Sequence, residues 1–223
     1  VTAKYAFDRE RSFYRQSNNS AEELLRKVHL QIARDVRLLL EGKVDGSTLN
    51  AVLHKILSYL ETCGPTSAVM CMAAFGRFEN DPVDGALTQR EDELTDFFND
   101  PRNYARFRAV RDDVDPASIP GNRVPQYYPI AVKTLYGVRC EFLWTTLLAV
   151  VEHLKEGRTA QLCFKDPGHF FSAVAYDEER DEIVYNDPWP ERYMDGNGFN
   201  RRAKTAALQD LVEPYALVYY TPV

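Results

Sequence analysis

The chain has 223 residues, 45% apolar and 27% charged, an ordinary globular balance at a length that suits one or two domains. Its formal charge is −6, from 27 Lys and Arg against 33 Asp and Glu, which argues against phosphate-backbone binding and so against a nucleic-acid partner. No apolar run approaches the roughly 18–20 residues that span a bilayer, and no charged-then-apolar leader opens the sequence, although Val1 is consistent with a trimmed start. Four cysteines, at 63, 71, 140 and 163, form no C-x-x-C pair, so neither scaffold disulfides nor a cysteine-rich zinc site is expected.

In chain order, Ser20-Ala21-Glu22-Glu23 has the form of a capping box. Leu24, Leu25, Val28, Ile32, Val36 and Leu39 then recur in steps that mark one helix face, and Gly42 is a natural stop. A second helix from Ser47 to Leu60 would complete a helical hairpin ahead of the main body. The next helix should start just after Cys63, with Gly64 giving a tight approach and Pro65 suiting a first turn. Thr88-Gln89-Arg90-Glu91 opens a further helix through Phe98, and Asp100-Pro101 reads as a cap with a first-turn proline. Residues 112–129, with Pro116, Pro120, Gly121 and Pro125, read as a loop; Trp144 to Glu156 reads as a helix.

After Gly157 the period changes. Thr159–Phe164, His169–Tyr176, Glu182–Tyr185 and Tyr215–Thr221 are short, rich in β-branched and aromatic residues, and bounded by turn residues. Helices followed by antiparallel strands make the fold α+β. No repeat, low-complexity stretch or long linker divides the chain, so one domain over 1–223 is expected.

Three places could carry chemistry: Cys63-Gly64-Pro65, Gly168-His169 and Asn186-Asp187-Pro188. A thiol attacks only as thiolate, and a helix N-terminus supplies partial positive charge and free N–H groups that favour the anion. Cys63 lies where that effect is strongest. An imidazole nearby would complete the ion pair and later protonate the leaving amine. Strands 169–176 and 182–185, paired through the charged turn Asp177–Asp181, would put His169 and Asp187 at the same end, where a carboxylate can orient the ring. Each signal has a bland alternative. Cysteines at helix starts are commonly small buried residues, Gly-His is weak alone, and Asn-Asp-Pro is commonly a turn. Cys71, Cys140 and Cys163 sit in apolar stretches and read as core; His29, His54 and His153 read as surface or boundary residues; no metal or organic cofactor is called for. Arg102, Arg106, Arg108, Arg111 and Arg123 read as a solvated face rather than an anionic-ligand site.

Taken together, these residues resemble the papain-like cysteine peptidases related to the double-glycine-leader peptidases, in their stand-alone, phage-lysin-like branch. The likeness rests on Cys63-Gly64-Pro65 with its apolar helix, on Gly168-His169 followed by an apolar strand to Tyr176-Asp177, and on Asn186-Asp187-Pro188-Trp189. It covers residues 60–76 and 157–190 well and the rest loosely. The resemblance implies a Cys63–His169–Asp187 triad that hydrolyses a peptide bond through an acyl-enzyme, without cofactor. It also implies a glutamine before the nucleophile, whose amide helps form the oxyanion hole, and here the sequence departs from the pattern. No glutamine lies shortly before Cys63; the upstream candidates are Gln31 and Gln16. Gln16, in Phe13-Tyr14-Arg15-Gln16-Ser17-Asn18-Asn19, is similar to the aromatic-x-Gln-x-x-Asn stretch of phage-lysin-like members, which would make residues 20–60 an inserted hairpin. The alternative is that Gln16 is a polar loop residue, and Gln126 is then the next candidate. Likeness of Glu91-Asp92-Glu93-Leu94-Thr95 to the acidic helix of phage-type members tilts the substrate toward bacterial cell-wall cross-links (a peptidoglycan endopeptidase). A protein or leader-peptide substrate, or a non-catalytic binding module keeping the fold, are the alternatives. Either the cytoplasm before release or the cell wall would suit such an enzyme.

Overall fold

The structure, a computed structural model, describes Glu41 and residues 62–78, 90–119, 121–189, 192–194 and 197–221. Helix α1, Cys63–Ala73, is the axis of the fold. Its residues Gly64 to Met72 are all buried, as a helix that is small or apolar on every side must be. Pro65 fits the first turn, and Gly64 lets the helix start press against Tyr128 and the Asn122 carbonyl. The expected hairpin over 20–60 and Gln16 lie outside the described residues.

Helix α2, Arg90–Asn99, packs on α1 through Leu94 and Phe98. Asp100 then caps a 3-10 turn, Pro101–Asn103, by accepting the Arg102 N–H, and α3, Tyr104–Arg108, follows. The proline-rich stretch is partly helical, contrary to the expectation of a loop. Its 3-10 turns Gly121–Arg123 and Pro125–Tyr127 lead into α4, Tyr128–Tyr136, closed by Gly137 at φ 67°. Pro129 falls in the first turn of α4, where the missing N–H costs nothing. The rings of Phe98, Phe107, Tyr127 and Tyr128 fill the space between these helices and α1.

Six strands form one antiparallel sheet in the order β1-β6-β2-β3-β4-β5: β1 Cys140–Trp144, β2 Thr159–Phe164, β3 His169–Asp177, β4 Glu182–Asn186, β5 Arg201–Lys204 and β6 Tyr215–Tyr219. This agrees with the α+β papain-like architecture. Trp144 is the last residue of β1, not the first of a helix; α5 runs Leu147–Lys155 and is capped by the Thr146 hydroxyl accepting the Ala149 N–H. One face of the sheet meets α1, and α5 with α6, Thr205–Gln209, covers the other through Leu147, Val151, Leu154, Phe164, Phe171 and Ile183.

Three buried side chains join α1 to the sheet. Thr159 Oγ1 donates to the Cys71 carbonyl at 2.9 Å, Gln161 Nε2 to the Gly64 carbonyl at 3.1 Å, and Ser172 Oγ to the Ser67 carbonyl at 2.8 Å. Tyr219 Oη in turn donates to Gln161 Oε1 at 2.7 Å, so the amide cannot swing away.

A Cβ at Gly64 would run into Tyr128 Oη and lie 2.9 Å from the Asn122 carbonyl. Gly64→Ala should therefore lower stability by about 1–3 kcal/mol, as overpacking of a close contact does. Urea denaturation measures it, and a variant as stable as the parent would show that the helix start has room to shift.

Candidate active site

The nucleophile candidate is placed by the helix and its partners by the sheet. Cys63 is the first residue of α1 and is half-buried. Its own N–H is among the first four of the helix, which have no intrahelical acceptor. His169 opens β3 directly after Gly168, whose φ of 80° turns the chain out of β2, and is 4% exposed. Asp187 follows the last residue of β4, is fully buried, and has its own N–H bonded to the Gly198 carbonyl at 2.8 Å. The β3–β4 pairing through the 177–181 turn brings the two to the same end, as the sequence led one to expect.

The imidazole is held by Asp187: Nε2 lies 2.6 Å from Oδ1, which leaves Nδ1 for the thiol of Cys63. Burial by itself would lower the His169 pKa; the bond to Asp187 and the interaction with Cys63 outweigh it and raise the value to about 9. Burial pushes the Asp187 carboxyl up, but the bonds from His169, the Trp189 N–H and the Tyr193 hydroxyl outweigh that and hold it below the ordinary value. At neutral pH the pair is therefore imidazolium and carboxylate. The stability contributed by His169 is complete below its ordinary value of 6.5 and is lost as pH rises through about 9. That of Asp187 is present above its ordinary 3.8 and is lost as pH falls through the lowered value.

A clasp after the acid was not foreseen. Asp187 Oδ1 also accepts the Trp189 N–H at 2.8 Å, and Oδ2 accepts the Tyr193 hydroxyl at 2.8 Å, with the Arg192 guanidinium 3.9 Å away. The Trp189 ring stands edge-on to His169, centroids 5.7 Å apart, and screens the buried pair from water. The only sequence signal was an aromatic directly after Asp187-Pro188. Asn186 points elsewhere, its Oδ1 accepting the Asn200 N–H at 2.9 Å.

The other cysteines are different in kind. Cys71, Cys140 and Cys163 are buried free thiols, and desolvation pushes Cys71 up to about 12, Cys163 up to about 11, and Cys140 well above its ordinary value. Gln126, in the turn Pro125–Tyr127, is half-buried with an Oε1 that has no hydrogen-bond partner. His153 is half-buried on α5 against Arg158, while His29 and His54 lie outside the described residues. Arg102, Arg108 and Arg111 pair with Asp100, Asp115 and Asp113 on an exposed face, and Arg106 and Arg123 are exposed there too. Among the described residues no group of three or more His, Cys, Asp or Glu is placed to hold a metal ion, and no helix is long and apolar enough to cross a membrane.

The sequence model of the Peptidase C39-like family matches residues 48–207, a span that includes Cys63, His169 and Asp187 and begins after Gln16. The chain belongs to the Peptidase C39-like family. That membership points to a cysteine peptidase. No curated protein sequence matches the chain.

The imidazole of this C39-like protein should titrate near pH 9 by NMR, with its resonance assigned by loss in His169→Gln. In Asp187→Ala the midpoint should fall, because the group that most strongly favours the charged ring is gone. A parent midpoint at or below 6.5 would mean that burial, not the ion pair, governs the ring.

Proposed function

We propose that the chain is a cysteine peptidase in which Cys63, His169 and Asp187 act as nucleophile, general acid–base and orienting acid. The observation that carries this is the buried imidazole, 2.6 Å from Asp187 Oδ1 through Nε2, with its other nitrogen left for the thiol of Cys63 at the start of α1. Cys63 Sγ attacks the substrate carbonyl carbon, forming a C–S bond and an oxyanion. His169 gives its proton to the leaving nitrogen as the C–N bond breaks. It then takes a proton from the water that releases the acyl-enzyme. The Cys63 N–H supplies one oxyanion donor. Gln16 is the proposed second, with residues 20–60 as a hairpin inserted in a single domain.

His169→Ala should lower kcat/KM by about 100- to 10,000-fold, and Cys63→Ala should abolish turnover in a folded protein. Asp187→Ala should cost less than His169→Ala, because the acid does not itself move a proton in this scheme. Asn186→Ala strands the Asn200 N–H and should cost about 1–3 kcal/mol of stability with a milder effect on rate. Turnover surviving Cys63→Ala would instead favour a binding module that keeps the fold and a contaminating activity.

For the oxyanion donor, Gln16→Ala should lose on the order of 100- to 1,000-fold in rate with stability nearly unchanged. A loss on Gln126→Ala without one on Gln16→Ala assigns the donor to Gln126.

For the substrate, the likeness at Glu91–Thr95 supports a phage-lysin-type peptidoglycan endopeptidase. Glu91 and Asp92 are themselves buried in α2, so any wall contact falls to other residues. Mass spectrometry of products from purified peptidoglycan and from a protein panel tests the choice.

A further inference from the structure

The two oxygens of Asp187 are met differently. Oδ1 accepts from both His169 Nε2, at 2.6 Å, and the Trp189 N–H, at 2.8 Å. Among the described residues the hydrogen bond to Oδ2 comes from the Tyr193 hydroxyl, at 2.8 Å, while the Arg192 guanidinium stands off at 3.9 Å. The last torsion of an aspartate is broad, so two donors on a single oxygen let the carboxylate turn about that oxygen. A donor on the second oxygen fixes its plane. Tyr193 is itself fixed. The Arg201 guanidinium lies over its ring, 4.1 Å from the centroid, and the ring packs on the apolar layer that includes Phe171 and Tyr185. Arg201 opens β5 in register with Tyr185 of β4, so the hydroxyl is aimed from the sheet although it belongs to the loop.

We infer that Tyr193 is a positioning residue for the proposed reaction: its hydroxyl holds the plane of the Asp187 carboxylate and, through it, the direction in which His169 Nδ1 faces the thiol. This rests on the proposed roles of Cys63, His169 and Asp187. A ring hydrogen-bonded at Nε2 swings with the oxygen that accepts it. The proton that Nδ1 gives to the leaving nitrogen travels one way, and a misplacement of about 1 Å costs on the order of 100-fold in rate. A tyrosine that only satisfied a buried oxygen would act otherwise. Its loss would lower stability and leave the titration of the ring and the rate per folded molecule alone. Around the pair stand Cys63 on α1, Arg192 in the loop and, behind Tyr193, Arg201 on β5. Tyr193→Phe alters none of these and keeps an aromatic ring beneath Arg201.

The test is a double-mutant cycle of Tyr193→Phe and Asp187→Ala in the full chain, read in two ways. In the first, the His169 resonance is titrated by NMR. Tyr193→Phe should bring its midpoint down from about 9 toward the ordinary 6.5, because a carboxylate that turns away stabilises the imidazolium for less of the time. With Asp187→Ala in place, adding Tyr193→Phe should not move it. An unchanged midpoint in the single variant overturns the positioning role. So does a rise, the result expected if the hydroxyl only drew charge from the carboxylate. In the second, steady-state rates are measured on whichever of purified peptidoglycan and the protein panel the parent cleaves, with Cys63→Ala as blank. Tyr193→Phe should lower kcat about 10-fold with KM changed less than about twofold, and its effect should shrink below about twofold in Asp187→Ala. An equal loss in both backgrounds means that Tyr193 does not act through Asp187; it overturns the proposal and leaves the catalytic reading standing. Absence of Cys63-dependent cleavage overturns the catalytic reading and the proposal with it.

Discussion

Everything at the candidate site depends on how α1 is fastened to the sheet. The carbonyls of Gly64, Ser67 and Cys71, spaced i, i+3, i+7, lie along one side of the helix, and Gln161, Ser172 and Thr159 donate to them from β2 and β3. Gln161 and Ser172 are cross-strand partners, and Thr159 is two residues from Gln161, so all three project from one face. Each bond adds only about 1 kcal/mol net, but breaking one leaves a buried group unsatisfied at about 1–3 kcal/mol. A slip of the helix by one residue would break all three together. Their consequence is registry rather than strength: Cys63 is held at one height above His169.

That fixed height lets the ionic part of the site be buried at all. An imidazolium and a carboxylate removed from water are costly unless every acceptor and donor is met. Here the carboxylate of Asp187 receives His169, the Trp189 N–H and the Tyr193 hydroxyl, and Arg192 adds a cation near the outer oxygen. Arg192 also lies over the Phe164 ring, and Arg201 over that of Tyr193, so the clasp is tied to the sheet at both ends. Burial opposes ionisation throughout: at His169 and Asp187 their shared hydrogen bond and its neighbours outweigh it, whereas at Cys71, Cys140 and Cys163 desolvation is the larger effect and keeps the thiols neutral.

The elements legible from sequence were those whose signals are local. Pro65 and the apolar run behind it mark α1, and alternation with the 177–181 turn marks β3 and β4, which is enough to place His169 beside Asp187. What was not legible depends on distant partners. Trp144 reads as the start of the apolar helix that follows, with no element expected over 140–143; only pairing with β6, at the far end of the chain, makes Cys140–Trp144 a strand. The density of prolines hid α4, although Pro129 suits its first turn. β5 escaped because Arg201-Arg202-Ala203-Lys204 is short and charged, as suits an edge that must not pair further. Tyr193 gave no signal, since a loop's path from Asp187 back to its own carboxylate is not written in any periodicity.

The unequal cover of the sheet has one cause. A single helix can lie over about two strands at an interaxial distance near 10 Å, and α1 takes β2 and β3. On one side of them, β6 and β1 are left to α4 and its neighbours, whose Val132 and Tyr136 pack with Cys140, Leu217 and Tyr219. Cover therefore fades along β1, from Cys140 at 7% exposed to Trp144 at 71%. The exposed end is the end at which α1 starts, because Gln161 reaches Gly64 while Thr159 reaches Cys71, and Cys163 and Tyr215 lie farther along the same line. A cysteine at a helix N-terminus and an exposed Trp144 thus arise from one arrangement: α1 starts short of the strand ends, and among the described residues β1, β2 and β6 run on past it.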